Sequence, residues 1–205
     1  MEKEKVEETV RKIKQSFRQL MNGVTSRSMR EKGVQYQLNW GASLIHLREM
    51  ASEYPKDYDL AIALWKEPIR ECKVLATLLM PADLLLPEVA EILMEQTETQ
   101  EMAELLALHV FQYVDYAHKM AFKWIATVHP LYQICGYHIL SRSFASGLIP
   151  DERDVNEYLD QVETALLGKD LSVRHAAYNS LVRFCNIGEH YESLAKSALH
   201  SPGIL

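Results

Sequence analysis

The sequence predicts an all-α protein built as a solenoid of antiparallel helix pairs. Three observations predict it. Apolar residues recur with helical spacing along most of the chain, Gly and Pro number only 8 and 7 in 205 residues, and paired units start near residues 57, 87, 118 and 151. An all-β fold needs turn chemistry every ten residues or so, and this chain is short of it. Units of roughly 30 residues that cannot bury their apolar side alone must stack on their neighbours.

In chain order, Val6, Val10, Ile13, Phe17 and Leu20 step by four and three along one face of a first helix. Asn22-Gly23 is expected to end it. Residues 24–41 are less regular, with a short helix expected near Ser28–Lys32 and a loop through Asn39-Trp40-Gly41. A helix over Ser43–Tyr54 stops at Pro55. Asp57–Trp65 and Ile69–Leu79 follow, and Pro81 breaks the pattern. Pro87–Glu95 opens on a Pro suited to a first turn. Thr97 with Gln100 reads as a capping box for a helix reaching about Tyr116. Lys119–Ala126, Leu131–Phe144 after Pro130, a helix from Asp151 or Asp154 to Leu166, Leu171–Phe184 capped by Asp170, and Gly188–Leu199 complete the series. The expectation is one helical-repeat domain over 1–205, with an N-terminal cap over 1–54 and helix pairs over 55–205.

Charge is spread unevenly. The net charge is −6, the wrong sign for coating nucleic acid by bulk electrostatics, though a local patch can still do so. Residues 1–32 carry nine Lys/Arg against five Glu, and the remainder carries 13 basic and 23 acidic groups. Between Lys73 and Lys119 there is no Lys or Arg, only Asp83, Glu88, Glu91, Glu95, Glu98, Glu101, Glu104 and Asp115 among the charged residues. No apolar run is long enough to span a membrane, and the mixed-charge N-terminus lacks a secretory apolar region. Cys72, Cys135 and Cys185 lie far apart among apolar neighbours, which points to free thiols in a reducing cytoplasm.

The segment from Asp170 to Leu181 resembles a HEAT repeat, with an Asp, then Val173-Arg174, then Ala176-Ala177 and a Leu one turn on. Asp170 can cap the helix, Val173 and Leu181 pack, and the alanines allow close helix approach. A second resemblance covers more of the chain. Asn39-Trp-Gly, Leu47-Arg48, Ala51, Leu60-Ala-Ile-Ala-Leu-Trp65 and the run from Ile69 to Leu79 resemble the AlkD-like DNA alkylation repair family of HEAT-like glycosylases. The match is good over residues 40–80 and extends along the chain by helix order. It implies an all-α, right-handed HEAT-like α-solenoid that binds DNA or alkylated DNA.

Active members of that family carry, on the concave face, a Trp and an Asp four apart on one helix, an Arg on a later helix and a Trp near the C-terminus. On this sequence the Trp and Asp fall on Gln100 and Glu104, the Arg on Tyr132 or Gln133, and the C-terminal Trp near Asn179. The carboxylate is kept as Glu104, the implied catalytic residue, and the other three positions depart. Stacking on a base contributes on the order of 1–3 kcal/mol, which neither Gln100 nor Asn179 supplies. N-glycosylase activity therefore rests on Glu104 alone.

Other nucleic-acid contacts are read from the residues themselves. Arg11, Lys14, Arg18, Arg27 and Arg30 make the N-terminal helices basic; they serve either as phosphate contacts or as a solvated face laced with Glu7 and Glu8. Tyr113, Tyr116, Lys119 and Lys123 interleave aromatics with bases, as single-stranded or distorted nucleic acid requires; packed aromatics with snorkelling lysines read the same way. No cofactor motif is present, and the mixed pair Cys135/His138 falls short of a metal site. The alternative to DNA binding is a non-enzymatic scaffold that holds a protein partner on its concave face.

Overall fold

A computed structural model describes residues 3–199; the ends of the expected 1–205 domain lie outside them. Among the described residues there are twelve α-helices, no strand, and one isolated parallel bridge between Leu38 and Ile69. The chain divides into two compact units between Val89 and Ala90.

The first unit holds α1 (Lys3–Ser16), α2 (Gly23–Glu31), α3 (Leu44–Ser52), α4 (Tyr58–Trp65) and α5 (Arg70–Leu79). Val6, Val10, Ile13 and Phe17 are buried, as their spacing predicts, and α1 packs on α4. After α1 the backbone tightens to a 3-10 turn over Phe17–Leu20. Asn22 does not end a helix; its side chain accepts the Thr25 amide at 3.0 Å and starts α2, which is longer than the spacing predicts.

The Asn39-Trp40-Gly41 loop is held by a buried ion pair. Arg70 and Glu71 are 3 % and 0 % exposed, and Arg70 Nη1 donates to Glu71 Oε1 at 3.3 Å and to the Ala42 carbonyl at 3.0 Å. Glu71 in turn accepts the backbone amides of Trp40 and Ala42 at 3.1 and 3.2 Å. These hydrogen bonds offset the desolvation that a buried pair otherwise suffers. Gly41 has φ +74°, and a Cβ there would stand 2.2 Å from the Asn22 carbonyl oxygen, so only glycine fits. This part of the family-like sequence is thus a structural clamp.

The second unit begins within α6 (Pro87–Glu95), and continues through α7 (Gln100–His109), α8 (Ala117–Ile125), α9 (Pro130–Ala145), α10 (Glu152–Leu167), α11 (Leu171–Cys185) and α12 (Glu189–Ala198). Paired helices begin at 58, 87, 117 and 152, close to the predicted repeat starts. Asp151 and Asp170 cap α10 and α11 through the amides of Asp154, Ser172 and Val173. Two boundaries differ from expectation. Thr99, not Thr97, caps α7, accepting the Met102 amide at 3.3 Å, while the Thr97 hydroxyl bonds back to the Leu93 carbonyl at the end of α6. The same helix stops at His109 because buried Val110 and Phe111 leave the helical path for a 3-10 turn.

Helix α9 is the hub of this unit, packing on α7, α8 and α11. Gly136 permits the approach of α8, since a Cβ would sit 2.8 Å from Ile125 Cγ2 and 2.9 Å from the Ala121 carbonyl oxygen. Phe144, Tyr158, Phe184 and Tyr191 form a chain of ring contacts with centroids 5.1–5.4 Å apart. The Tyr137 hydroxyl bonds the Gln161 carbonyl at 2.9 Å, and the Tyr158 hydroxyl bonds Ser180 Oγ at 2.8 Å. Desolvation pushes both phenols up, so they stay neutral. These contacts fix the spacing of α9, α10 and α11, and with it the site described next.

Candidate nucleic-acid interface

Successive side chains at i and i+4 share one helix face. On α7 that face presents Gln100 and Glu104, on α9 His138 and Arg142, and on α11 Asn179 and Arg183. The first step across is direct. Gln100 Nε2 donates to Glu104 Oε1 at 2.7 Å, and His138 Nε2 lies 3.7 Å from the same oxygen. The second step is a cleft of about 500 Å³ lined by His138, Ser141, Arg142, Ala145, Asn179, Val182 and Arg183.

The electrostatics of the cleft are set by two exposed guanidiniums on adjacent helices. Neither Arg142 nor Arg183 makes an ion pair with a described residue. His138 lies between them and Glu104. Its pKa is lowered, first by burial and then by Arg142, while Glu104 opposes the shift. The imidazole is therefore neutral near pH 7, and the cleft carries two fixed positive charges with amide and hydroxyl groups beside them. An anion with several oxygens is the ligand this arrangement suits.

Glu104 is about 40 % exposed on its side chain and held by Gln100. It stands beside the cleft, but no aromatic ring occupies the place of Gln100, and Asn179 supplies no stacking surface at the other wall. Neither Tyr132 nor Gln133 replaces the family arginine: Tyr132 stands edge-on to Trp124 at 5.6 Å, and Gln133 turns toward the Ile125 carbonyl. His138 was weighed in the sequence only as a metal partner of Cys135, and Arg142 and Arg183 went unrecognised because they belong to two helices and stand 41 residues apart in numbering. The useful signal was the pair of four-residue steps 138/142 and 179/183, which only helix packing can bring together.

Arg11, Arg18, Arg27 and Arg30 are exposed in the first unit, whereas Lys14 pairs with Glu67 at 2.8 Å. In the second unit Tyr113 and Lys119 are exposed and Tyr116 is half-buried. Lys123 pairs with Glu91 at 2.6 Å, and the Trp124 indole N–H donates to the same carboxylate. His118 pairs with Asp154 at 2.6 Å. Burial raises the thiols of Cys72 to about 12 and of Cys135 well above its ordinary range; Cys185 is half-buried and also raised. No group of three potential metal-ligating side chains occurs among the described residues, and none of their helices is long and apolar enough to cross a membrane.

The repeat geometry defines a HEAT-like repeat helical protein. A solved structure described as one of "a new family of proteins related to the HEAT-like repeat DNA glycosylases with affinity for branched DNA structures" shares this fold, with a TM-score of 0.80 and 14 % identity over 92 % of this chain and 82 % of that one. No protein-family model and no curated protein matches the sequence. The resemblance that the residues suggest to HEAT-like glycosylases is thus met at the level of fold.

Proposed function

We propose that this chain binds DNA, with branched or distorted structures as its preferred substrate, through the strip formed by α7, α9 and α11. In this reading Arg142 and Arg183 hold backbone phosphates, Asn179 and Ser141 add neutral hydrogen bonds, and Glu104 is the carboxylate nearest the bound strand. The observation that carries it is the cleft whose two arginines make no ion pair with a described residue, in a chain whose net charge is −6. Two guanidiniums on facing helices repel each other unless an anion enters between them, and a phosphodiester supplies it. The affinity for branched DNA described for the similar protein supports the substrate class.

The exposed Arg11, Arg18, Arg27 and Arg30 extend the same proposal to the first unit, and Tyr113, Tyr116 and Lys119 to the second, whereas Lys14 and Lys123 are already held by Glu67 and Glu91. Its setting is intracellular, in one helical-repeat domain capped by residues 1–54. Base excision is the weaker half of the family-like reading, because an exposed Glu104 without an aromatic platform has little with which to hold a displaced base.

Titration of the full chain against plain duplex, a four-way junction and N-methylpurine duplex tests this. Binding should favour the junction and weaken by about tenfold or more between about 50 and about 200 mM salt, as release of counterions from several phosphates requires. Absent or salt-independent binding overturns it. Freed base from the methylated duplex, abolished by Glu104→Gln, would restore the enzymatic reading.

A further inference from the structure

A second cavity, of about 470 Å³, lies where the end of α6 meets the first turn of α9. Its chemistry is opposite to that of the arginine cleft. Two of its walls are rings: His129 and Tyr132 have centroids 5.9 Å apart and planes inclined at 48°. Tyr132 is fixed from behind, standing perpendicular on Trp124, whose indole N–H is anchored by Glu91 at 3.2 Å. The remaining walls include Met94, Thr97, Leu131 and Glu95. The Glu95 carboxylate is exposed and makes no ion pair with a described residue.

Charge around this cavity is one-sided. Lys123 offsets Glu91, Glu95 makes no ion pair with a described residue, and residues 74–118 contain no Lys or Arg. Burial raises the Tyr132 phenol, and Glu91 and Glu95 push it the same way. The ring thus keeps its proton and sits in a negative field. A phosphate backbone is repelled here. A flat cation is favoured: it can lie against an aromatic face and direct two N–H groups at a carboxylate.

We propose that the cavity between α6 and α9 is a binding site for the guanidinium of an arginine presented by a partner protein. Tyr132 and His129 supply the stacking faces and Glu95 the ionic contact, while Trp124 and Glu91 hold Tyr132 in place. The site is separate from the arginine cleft and does not depend on DNA binding.

The test is an NMR titration of the full chain with Nα-acetyl-arginine amide, using the uncharged citrulline analogue and the cationic nucleoside 7-methylguanosine as comparisons. The arginine probe should produce saturable shifts of the His129 and Tyr132 ring resonances, and citrulline should not. Glu95→Gln, an exposed position that leaves the core untouched, should weaken the arginine probe about three- to fivefold, the range of an exposed ion pair. Tyr132→Leu should weaken it further, with Trp124 near-ultraviolet circular dichroism reporting whether the core is disturbed. Equal shifts from arginine and citrulline, or an unchanged response in Glu95→Gln, overturn the proposal. Tighter binding of 7-methylguanosine than of the arginine probe overturns it in favour of a nucleobase site.

Discussion

The start of α9 sets His129, just before the helix, and Tyr132 beside Glu95, whereas its second half carries His138 and Arg142 beside Arg183 of α11. Both regions are open cavities of similar volume, and both lie in the same compact unit. They differ in what surrounds them. The acidic aromatic end borders the cation-free stretch of α6 and α7, and the basic end borders α11, whose Arg183 faces Arg142 of α9 across the cleft. One helix can therefore present opposite potentials to two ligands, because exposed charges separated by more than about 10 Å are largely screened from each other by salt. The net charge of the whole chain predicts neither site.

The largest expected effect breaks the basic end. The double variant Arg142→Ala/Arg183→Ala should weaken junction DNA by about 100-fold, taking each charge-assisted contact at about 1.5 kcal/mol. It should also lower the salt slope by about 2, and leave the melting temperature unchanged because both side chains are exposed. An unaltered slope would move the DNA contact to the first unit.

An intermediate effect is expected at the support of the acidic end. Glu91→Ala leaves the fully buried Trp124 indole N–H without its acceptor, which should destabilise the second unit by about 1–3 kcal/mol in denaturant titration. Lys123→Ala, which removes only the exposed partner of the same carboxylate, should lower stability by less than about 1 kcal/mol. Equal losses would mean that the ion pair, not the indole contact, holds Tyr132 in position.

The smallest effect is a pH dependence centred on His138. Its folded pKa is lowered by burial and by Arg142. The unfolded chain therefore takes up the proton first as pH falls below the ordinary imidazole value of about 6.5. The stability tied to neutral His138 is present above that value and is lost as pH drops through the lower folded value. Solvent screening keeps the change well under about 1 kcal/mol, and His138→Gln should remove it from the pH profile of urea unfolding. A bound phosphate favours the charged imidazole, so DNA binding should strengthen on mild acidification in the wild type only.

Much of the architecture was legible in the residues. The steps through Val6, Val10, Ile13 and Phe17, the Asp170 cap, Pro130 at a helix start and the repeat starts near 57, 87, 118 and 151 all stand. Local chemistry decides such features, and nothing distant has to be known. The errors share another origin. Asn22 looked like a terminator and starts a helix, and the helix through Leu105 ends at His109, because burial of Val110 and Phe111 overrides a continuous helical pattern.

The candidate sites divide along the same line. Glu104 was singled out by resemblance, and the structure places it on α7 beside Gln100 and His138. Lys14 and Lys123 looked like free cations in the sequence, yet their partners Glu67 and Glu91 are 53 and 32 residues away. Arg142 and Arg183 drew no attention as isolated exposed arginines. The sequence alone determined the helices, their caps, the repeat period and the uneven charge, all of which follow from interactions within a turn or two. Which charges neutralise one another, and which converge on a cleft, was decided only by the tertiary packing of α9, because a Coulombic contact depends on distance in space and not on separation along the chain.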